Sequence, residues 1–267
     1  MSLSRIAAIP LRQFYLYRGS VARLVPLFAW VTIDMVLWGF MTKFLSGVAQ
    51  TSYRFVPALL GAVLFWDFMT RVMQGVTTAF FEDVWSRNFL NVFASPITVA
   101  EYVAGLLVSS IGTSLIGLVV MIVVATLAFG LSFAAYGAML VPFVLVLFLF
   151  GMALGIAAIA IVLRLGPAAE WFVWPIPALL SPFAAVYYPL ATLPPWIRWI
   201  SRLLPPSYVF EGMRAVVAGR PFDAALLGAA LGLAILYIFA AYWLFASVFR
   251  YAVKTGLIAR YSAESVT

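Results

Sequence analysis

Three charged residues fall well inside long apolar runs, away from their ends: Asp34, Asp67 and Arg71. Asp34 lies near the middle of LVPLFAWVTIDMVLWGFMTKFL, residues 24–45. Asp67 and Arg71 lie four apart within FVPALLGAVLFWDFMTRVMQGVTTA, residues 55–79. Intramembrane charge is costly, so such residues normally face a bundle interior, a wet cavity or one another. The spacing of four puts Asp67 and Arg71 on one helix face, with the acid N-terminal to the base. Two readings stand for them: a pair that holds a helix in register, or groups that line a translocation path or coupling hinge. Bond chemistry fits less well. The chain has no Cys and no His, which removes disulfides, thiol catalysis, haem and imidazole metal sites as ordinary readings. Asp34 and Asp67 belong to no recognisable constellation of nucleophile, base and stabiliser. There is no G-x-x-x-x-G-K-S/T loop, so the chain carries no nucleotide-binding motif of its own and is read as binding no cofactor.

The other concentration of charge is FFEDVWSRNFLNVFASPITVAE, residues 80–101, with Glu82, Asp83, Arg87, Asn88, Asn91 and Glu101, interrupted by Pro96. Long apolar runs flank it. Hydrocarbon would reject its polar groups unless protein buried them, so the expected place is water at a membrane surface. A short helix pushed on by another protein is the reading.

These two groups need elements to position them. The 267 residues are 66% hydrophobic and 9% charged, with a mean hydropathy of +1.10, whereas soluble domains carry about a quarter charged residues. The class is a polytopic, all-α membrane protein. A span takes about 20 apolar residues, and six apolar runs can be drawn, at about 24–45, 55–79, 102–130, 136–163, 171–190 and 224–248. Residues 1–22 form a separate expected unit, an amphipathic interfacial helix with Arg5, Arg12 and Arg18 facing water and headgroups. Residues 23–267 make one six-helix domain. Small residues favour close helix approach, and they recur in Gly105 to Gly117, in GMALG at 151–155 and in GAALG at 228–232. The fifth run holds prolines at 175, 177, 182 and 189, so a kinked or partly unwound span is expected there. In 191–223, Pro-Pro steps at 194–195 and 205–206 each open a short helix. Trp196, Trp199 and neighbouring aliphatic residues make one face, opposite Arg198 and Arg202. A pair of re-entrant or interfacial helices results.

The net charge is +7, read as basic flanks of membrane spans and not as a nucleic-acid surface. Six spans put both termini on one side. That side carries Arg5, Arg12, Arg18, Arg23, Arg87, Arg164, Arg250, Lys254 and Arg260; the other carries Lys43, Arg54, Arg198, Arg202, Arg214 and Arg220. Nine against six points to cytoplasmic termini in a cytoplasmic membrane. Residues 80–101 are then cytoplasmic and 191–223 external.

Two passages resemble the membrane subunit of ABC-2 type (type V fold) exporters. EDVWSRNFLNVFASPITVAEYVAG is similar to that family's cytoplasmic element after the second span. SPFAAVYYPLATLPPWIRWISRLLPPSYVFEGMR is similar to its closing pattern of fifth span, tyrosine-proline, Leu-Pro-x-Trp, proline, external helix, acid and Arg. One departure precedes the tyrosines, where the family often has Gly or Ser-Gly and this chain has Ala184 and Ala185. The resemblance implies a permease that dimerises, as a homodimer here, and pairs with a separate ATPase subunit that binds ATP and Mg. It implies a coupling helix at 82–96 docking into that ATPase through Glu82, Asp83, Arg87 and Asn88, with Phe89 and Phe93 as anchors and Pro96 ending the helix. It implies external helices at 195–218 sealing the path, with Tyr188, Trp196, Trp199, Glu211 and Arg214 as gate candidates. Spans one, two and five would line the path; Trp30, Trp38, Phe65, Trp66, Phe68, Trp171 and Trp174 lie on these spans, and a lipid-facing or packing role is the simpler reading for most of them. The expected substrate is amphipathic, lipid-linked or hydrophobic; glycoconjugates and drug-like molecules stay open, and membrane lipid is an expected partner. An ion-coupled secondary transporter is the alternative, but it predicts midplane charge in both halves, and here that charge lies in the first.

Overall fold

The computed structural model describes residues 1–48, 55–221 and 223–257. Arg54 and Arg260, both used in the charge comparison, lie outside the described residues. Ten α-helices follow in chain order: α1 Leu3–Arg18, α2 Val21–Val48, α3 Phe55–Trp85, α4 Phe89–Ala94, α5 Val99–Phe129, α6 Leu140–Leu165, α7 Ile176–Leu180, α8 Pro195–Arg202, α9 Pro205–Val217 and α10 Ala224–Thr255. There is no strand among the described residues. The all-helical expectation holds.

The local signals are physical. Thr98 and Glu101 form a reciprocal capping box at the start of α5, and the helix ends on Gly130 in the left-handed region, φ 68°. The Asp223 side chain caps α10, which ends on Gly256 at φ 71°. Proline stands at the first turn of α8 and α9, where its missing N–H costs nothing.

Among the described residues four helical stretches are long and apolar enough to cross a membrane: Val21–Gly47, Val99–Phe129, Phe133–Leu165 and Ala224–Thr255. The expected six are not all of this kind. α3 is 31 residues long but carries Asp67, Arg71, Gln74, Glu82 and Asp83. The fifth run is broken outright. A 3₁₀ turn at Pro167–Phe172, the five residues of α7 and a second 3₁₀ turn at Leu190–Thr192 replace a helix there. Its prolines remove backbone donors at four points, and short turns satisfy what remains. Residues 82–96 also do not form one helix. α3 continues to Trp85, and α4 begins only at Phe89.

α6 is the central helix. It packs against α10 on one side and α3 on the other; α3 also meets α5, and α5 carries α1 and α2. The GMALG pair explains the α3–α6 approach. A Cβ on Gly151 would sit 2.7 Å from the Met69 carbonyl, and one on Gly155 would sit 2.7 Å from the Val76 Cβ. The GAALG pair on α10 meets nothing within 4 Å among the described residues, so of these two pairs GMALG alone is a packing site there. Buried side chains form two clusters. One joins the first half of α3 to α6, α9 and Tyr136. The other joins the second half of α3 to α1, α4, α5, α6 and α10.

Candidate functional site

The charged residues assemble into three sites, two along α3 and one between α9 and the broken segment. The first is at the C-terminal end of α3, where α1 lies across the α3–α5 connection. Asp83 is wholly buried. It forms an ion pair with Arg12 of α1 and accepts a hydrogen bond from the Tyr102 hydroxyl at 2.8 Å. The Ser2 backbone N–H donates to Glu101 Oε1 at 2.6 Å. Arg5 donates to the Pro96 carbonyl and lies 3.6 Å from Glu101. Gln13 Nε2 donates to the Ala79 carbonyl at 3.3 Å, and Ile9 fills the space over Gly105. Arg23, at the start of α2, pairs with Glu82 at 3.2 Å. These contacts fasten α1 and α2 to the polar island.

That geometry redistributes the expected coupling residues. Asp83 and Phe89 are buried in this chain, Phe89 against Phe80, Phe93 and Tyr102. They brace the island from inside, because a carboxylate so enclosed needs Arg12 and Tyr102 beside it. Phe93 is half-buried, in tilted ring contact with Tyr102 and with Phe249 of α10. Glu82 is mostly covered and held by Arg23. Arg87, Asn91, Ser95 and Pro96 remain exposed, and Asn88 is half-exposed. Arg87 adopts φ 54°, a left-handed position that closes α3, with the Asn88 N–H returning to the Asp83 carbonyl at 2.9 Å. Arg12, expected to face water, turns inward to Asp83, whereas Arg5 stays exposed while it reaches Glu101 and the Pro96 carbonyl; Leu3, Leu11, Phe14 and Tyr15 are also exposed on α1.

The second site is a recess midway along α3. Arg71 Nε donates to Asp67 Oδ2 at 2.8 Å, and Arg71 Nη2 lies 4.0 Å from Asp34 Oδ2 on α2. The three intramembrane charges are thus brought together, and both readings of Asp67 and Arg71 apply: they pair, and they line a cavity. That cavity, about 590 Å³, is bordered also by Tyr17, Arg23, Trp30, Gln74, Glu82, Thr113 and Trp174. A second, about 320 Å³, shares Asp34, Asp67, Thr70 and Trp174 with it and reaches Trp38, Ser181 and Tyr187. Gly117 leaves room for the Arg71 stem, which would stand 3.1 Å from a Cβ there. Tyr17, at the rim, stays neutral: burial first and Glu82 second push its phenol above the ordinary value, against Arg23. Of the aromatic residues on the spans expected near the path, Trp30, Trp38, Trp66 and Trp174 border the recess. Phe65 and Phe68 are buried, and Trp171 is exposed away from both cavities.

The third site ties the broken segment to α9. Glu211 Oε1 accepts from the Leu190 N–H at 2.7 Å and from Arg214 Nη2 at 2.9 Å. Arg214 also donates to the carbonyls of Ala185 and Val186. Ala185 is left-handed, φ 52°, at the position where the resemblance leads one to expect glycine. Of the other gate candidates, the Tyr188 hydroxyl donates locally to the Pro182 carbonyl, and Trp196 and Trp199 project from α8, each about two-thirds exposed.

A family model described as ABC-2 type transporter matches residues 17–218. The chain belongs to the ABC-2 type transporter family. No curated protein matches it. As an ABC-2 permease it is a multi-pass transmembrane subunit of an ABC transporter, and membership implies an ABC ATPase as its partner. The matched stretch contains the recess and the Glu211–Arg214 tie, while Arg5 and Arg12 fall before it. The inward turn of Arg12 was not readable from the permease's sequence, since Arg12 and Asp83 are remote in the chain. Thr98-x-x-Glu101 was readable as a capping box, and it marks where Ser2 and Arg5 attach.

Proposed function

We propose that this permease is the membrane half of an ATP-driven exporter in a bacterial cytoplasmic membrane, acting as a homodimer with both termini inside. Each copy crosses six times: the four long apolar stretches, α3, and the broken segment between α6 and α8. ATP and Mg belong to the partner ATPase, and this chain performs no bond chemistry. The cargo is an amphipathic, lipid-linked or hydrophobic molecule taken from the cytoplasm or inner leaflet. The observation that carries this reading is the fastening of α1 to the α3–α5 connection by Arg12–Asp83, Arg5–Glu101 and Ser2–Glu101. A push on the exposed turn around Arg87 and Asn91 is delivered to α1, α2 and α3 together, because packed helices move as rigid bodies between discrete arrangements. α2 and α3 form two walls of the recess, so its shape follows. The Glu211–Arg214 tie holds the broken segment, which borders the recess through Trp174 and Tyr187.

Co-purification with the cognate ATPase tests the docking surface. Arg87→Glu combined with Asn91→Lys is expected to lose the ATPase while the permease itself stays folded. Unchanged assembly and unchanged ATP-driven transport would remove this turn from the docking role. Transport by the purified chain without any ATPase would overturn the exporter reading.

A further inference from the structure

The recess has an uneven charge arrangement. Its border holds three acids, Asp34, Asp67 and Glu82, and two bases, Arg23 and Arg71. Arg23 is engaged with Glu82 at 3.2 Å and Arg71 with Asp67 at 2.8 Å. Asp34 is left over. Its only approach from a base among the described residues is Arg71 Nη2 at 4.0 Å, too long for a hydrogen bond. Its side chain is 44% exposed, whereas that of Arg71 is 13% exposed. The charge open to an incoming molecule is therefore the carboxylate, with the guanidinium behind it. A carboxylate at the middle of a span is costly unless a cation accompanies it; among the described residues Arg71 is the one base within 4.0 Å of Asp34, and it is already held by Asp67.

The surroundings of Asp34 favour the same sign. Trp30 and Trp174 border the larger cavity beside it and are both exposed. In the smaller cavity Trp38 stacks on Tyr187, with ring centroids 5.2 Å apart. Aromatic faces carry negative potential and attract cations, indole most strongly. An anion would meet Asp34 and these ring faces before it reached Arg71.

We propose that the recess binds a hydrophobic organic cation, its charged centre at Asp34 and its apolar body against Trp30 and Trp174. This deepens the exporter reading by naming a cargo class, and it rests on that reading only for transport; binding stands apart from it. The joined cavities, about 590 and 320 Å³, have the size of small-molecule sites.

Tetraphenylphosphonium and tetraphenylborate have nearly the same shape and opposite charge, so they make a matched pair of probes. Binding is measured to the full-length chain in lipid nanodiscs, with empty nanodiscs subtracted for partition into lipid. Saturable binding of the phosphonium and none of the borate is expected. Asp34→Asn weakens the phosphonium by about tenfold or more, and Asp34→Glu retains most of it. Trp30→Ala, at an exposed position that leaves folding intact, weakens it by roughly threefold to tenfold. Asp223→Asn, at the cap of α10, leaves it unchanged. Equal binding of both ions, preference for the borate, or full affinity in Asp34→Asn would overturn the proposal. The same probes in proteoliposomes with the ATPase separate the two claims. Binding without ATP-driven movement keeps the cation site and removes export; ATP-driven transport of another cargo, with no phosphonium binding, does the reverse.

Discussion

Ala185 holds a left-handed backbone, φ 52°, without being glycine. That conformation costs an L-residue with a Cβ about 1–2 kcal/mol, and the two Arg214 hydrogen bonds to the Ala185 and Val186 carbonyls keep it in place. Ala185→Gly removes the steric cost but adds unfolded-state freedom, so its net effect is expected between about 0 and +1 kcal/mol of stability. Ala185→Val, β-branched at a positive φ, is expected to cost about 1–3 kcal/mol. Thermal unfolding of the purified permease compares the two, and a Val variant as stable as the parent would show that the turn is not held left-handed. Asp83 makes a second case. It is buried, with Arg12 as its compensating charge. Arg12→Ala leaves an unpaired carboxylate and is expected to cost about 2–4 kcal/mol, somewhat under the range for a fully buried pair because Arg12 is partly exposed. Adding Asp83→Asn should recover part of the lost Tm. No recovery in the double variant would mean that the Arg12 contribution is packing and not charge.

Among the elements, the α3–α6 contact sets how well the recess is supported from behind. Gly151 faces the Met69 carbonyl and Val72, and Gly155 faces Val76. Main-chain atoms cannot move aside as a flexible side chain can, so added volume at Gly151 must separate the helices. Gly151→Leu is expected to destabilise by at least about 1–3 kcal/mol and to reduce cargo binding by displacing α3. Gly228→Leu on α10, where nothing lies within 4 Å, should leave stability nearly unchanged. Melting curves for the two variants check this, and equal losses would remove the distinction between the motifs.

For the whole molecule, the exposed apolar surface says where other bodies meet the chain. Ile33, Leu37, Phe40 and Phe44 form a stripe along α2, each more than half exposed. Leu236, Phe239 and Trp243 form another on α10. Lipid satisfies both equally well, since hydrocarbon is no less apolar than a helix. The proposed homodimer, with its path on the two-fold axis beside α2, separates them. Because the chain has no cysteine, single-cysteine variants report contact cleanly. Leu37→Cys is expected to form an inter-copy disulfide in membranes, and Leu236→Cys is expected to stay monomeric under the same oxidation. The opposite pattern would move the axis from α2 to α10.

The helical class, the polar island, the short helices α8 and α9 and the family were legible in the linear order of residues. Each depends on local composition or on motifs whose parts are close in sequence. A run of apolar residues, a Pro-Pro step or a T-x-x-E cap acts within one or two turns and needs no distant partner. The pairing of Asp67 with Arg71 belongs to the same class, being a neighbour effect on one helix face. Which side of the island faces inward was decided elsewhere. Asp83 became internal because α1 folds back over α3 and α5 and delivers Arg12. Asp34 was left without a full partner because α2 stands just far enough from α3 for Arg71 to miss it. The second span's charges and the fifth run's prolines were visible beforehand, but where residues 185–190 are anchored follows from what α9 offers through Glu211 and Arg214. Sequence specifies which groups cannot remain alone in a membrane; only the tertiary arrangement determines which of them find partners within the chain and which, like Asp34, remain open to a ligand, because those distances are set by how whole helices pack.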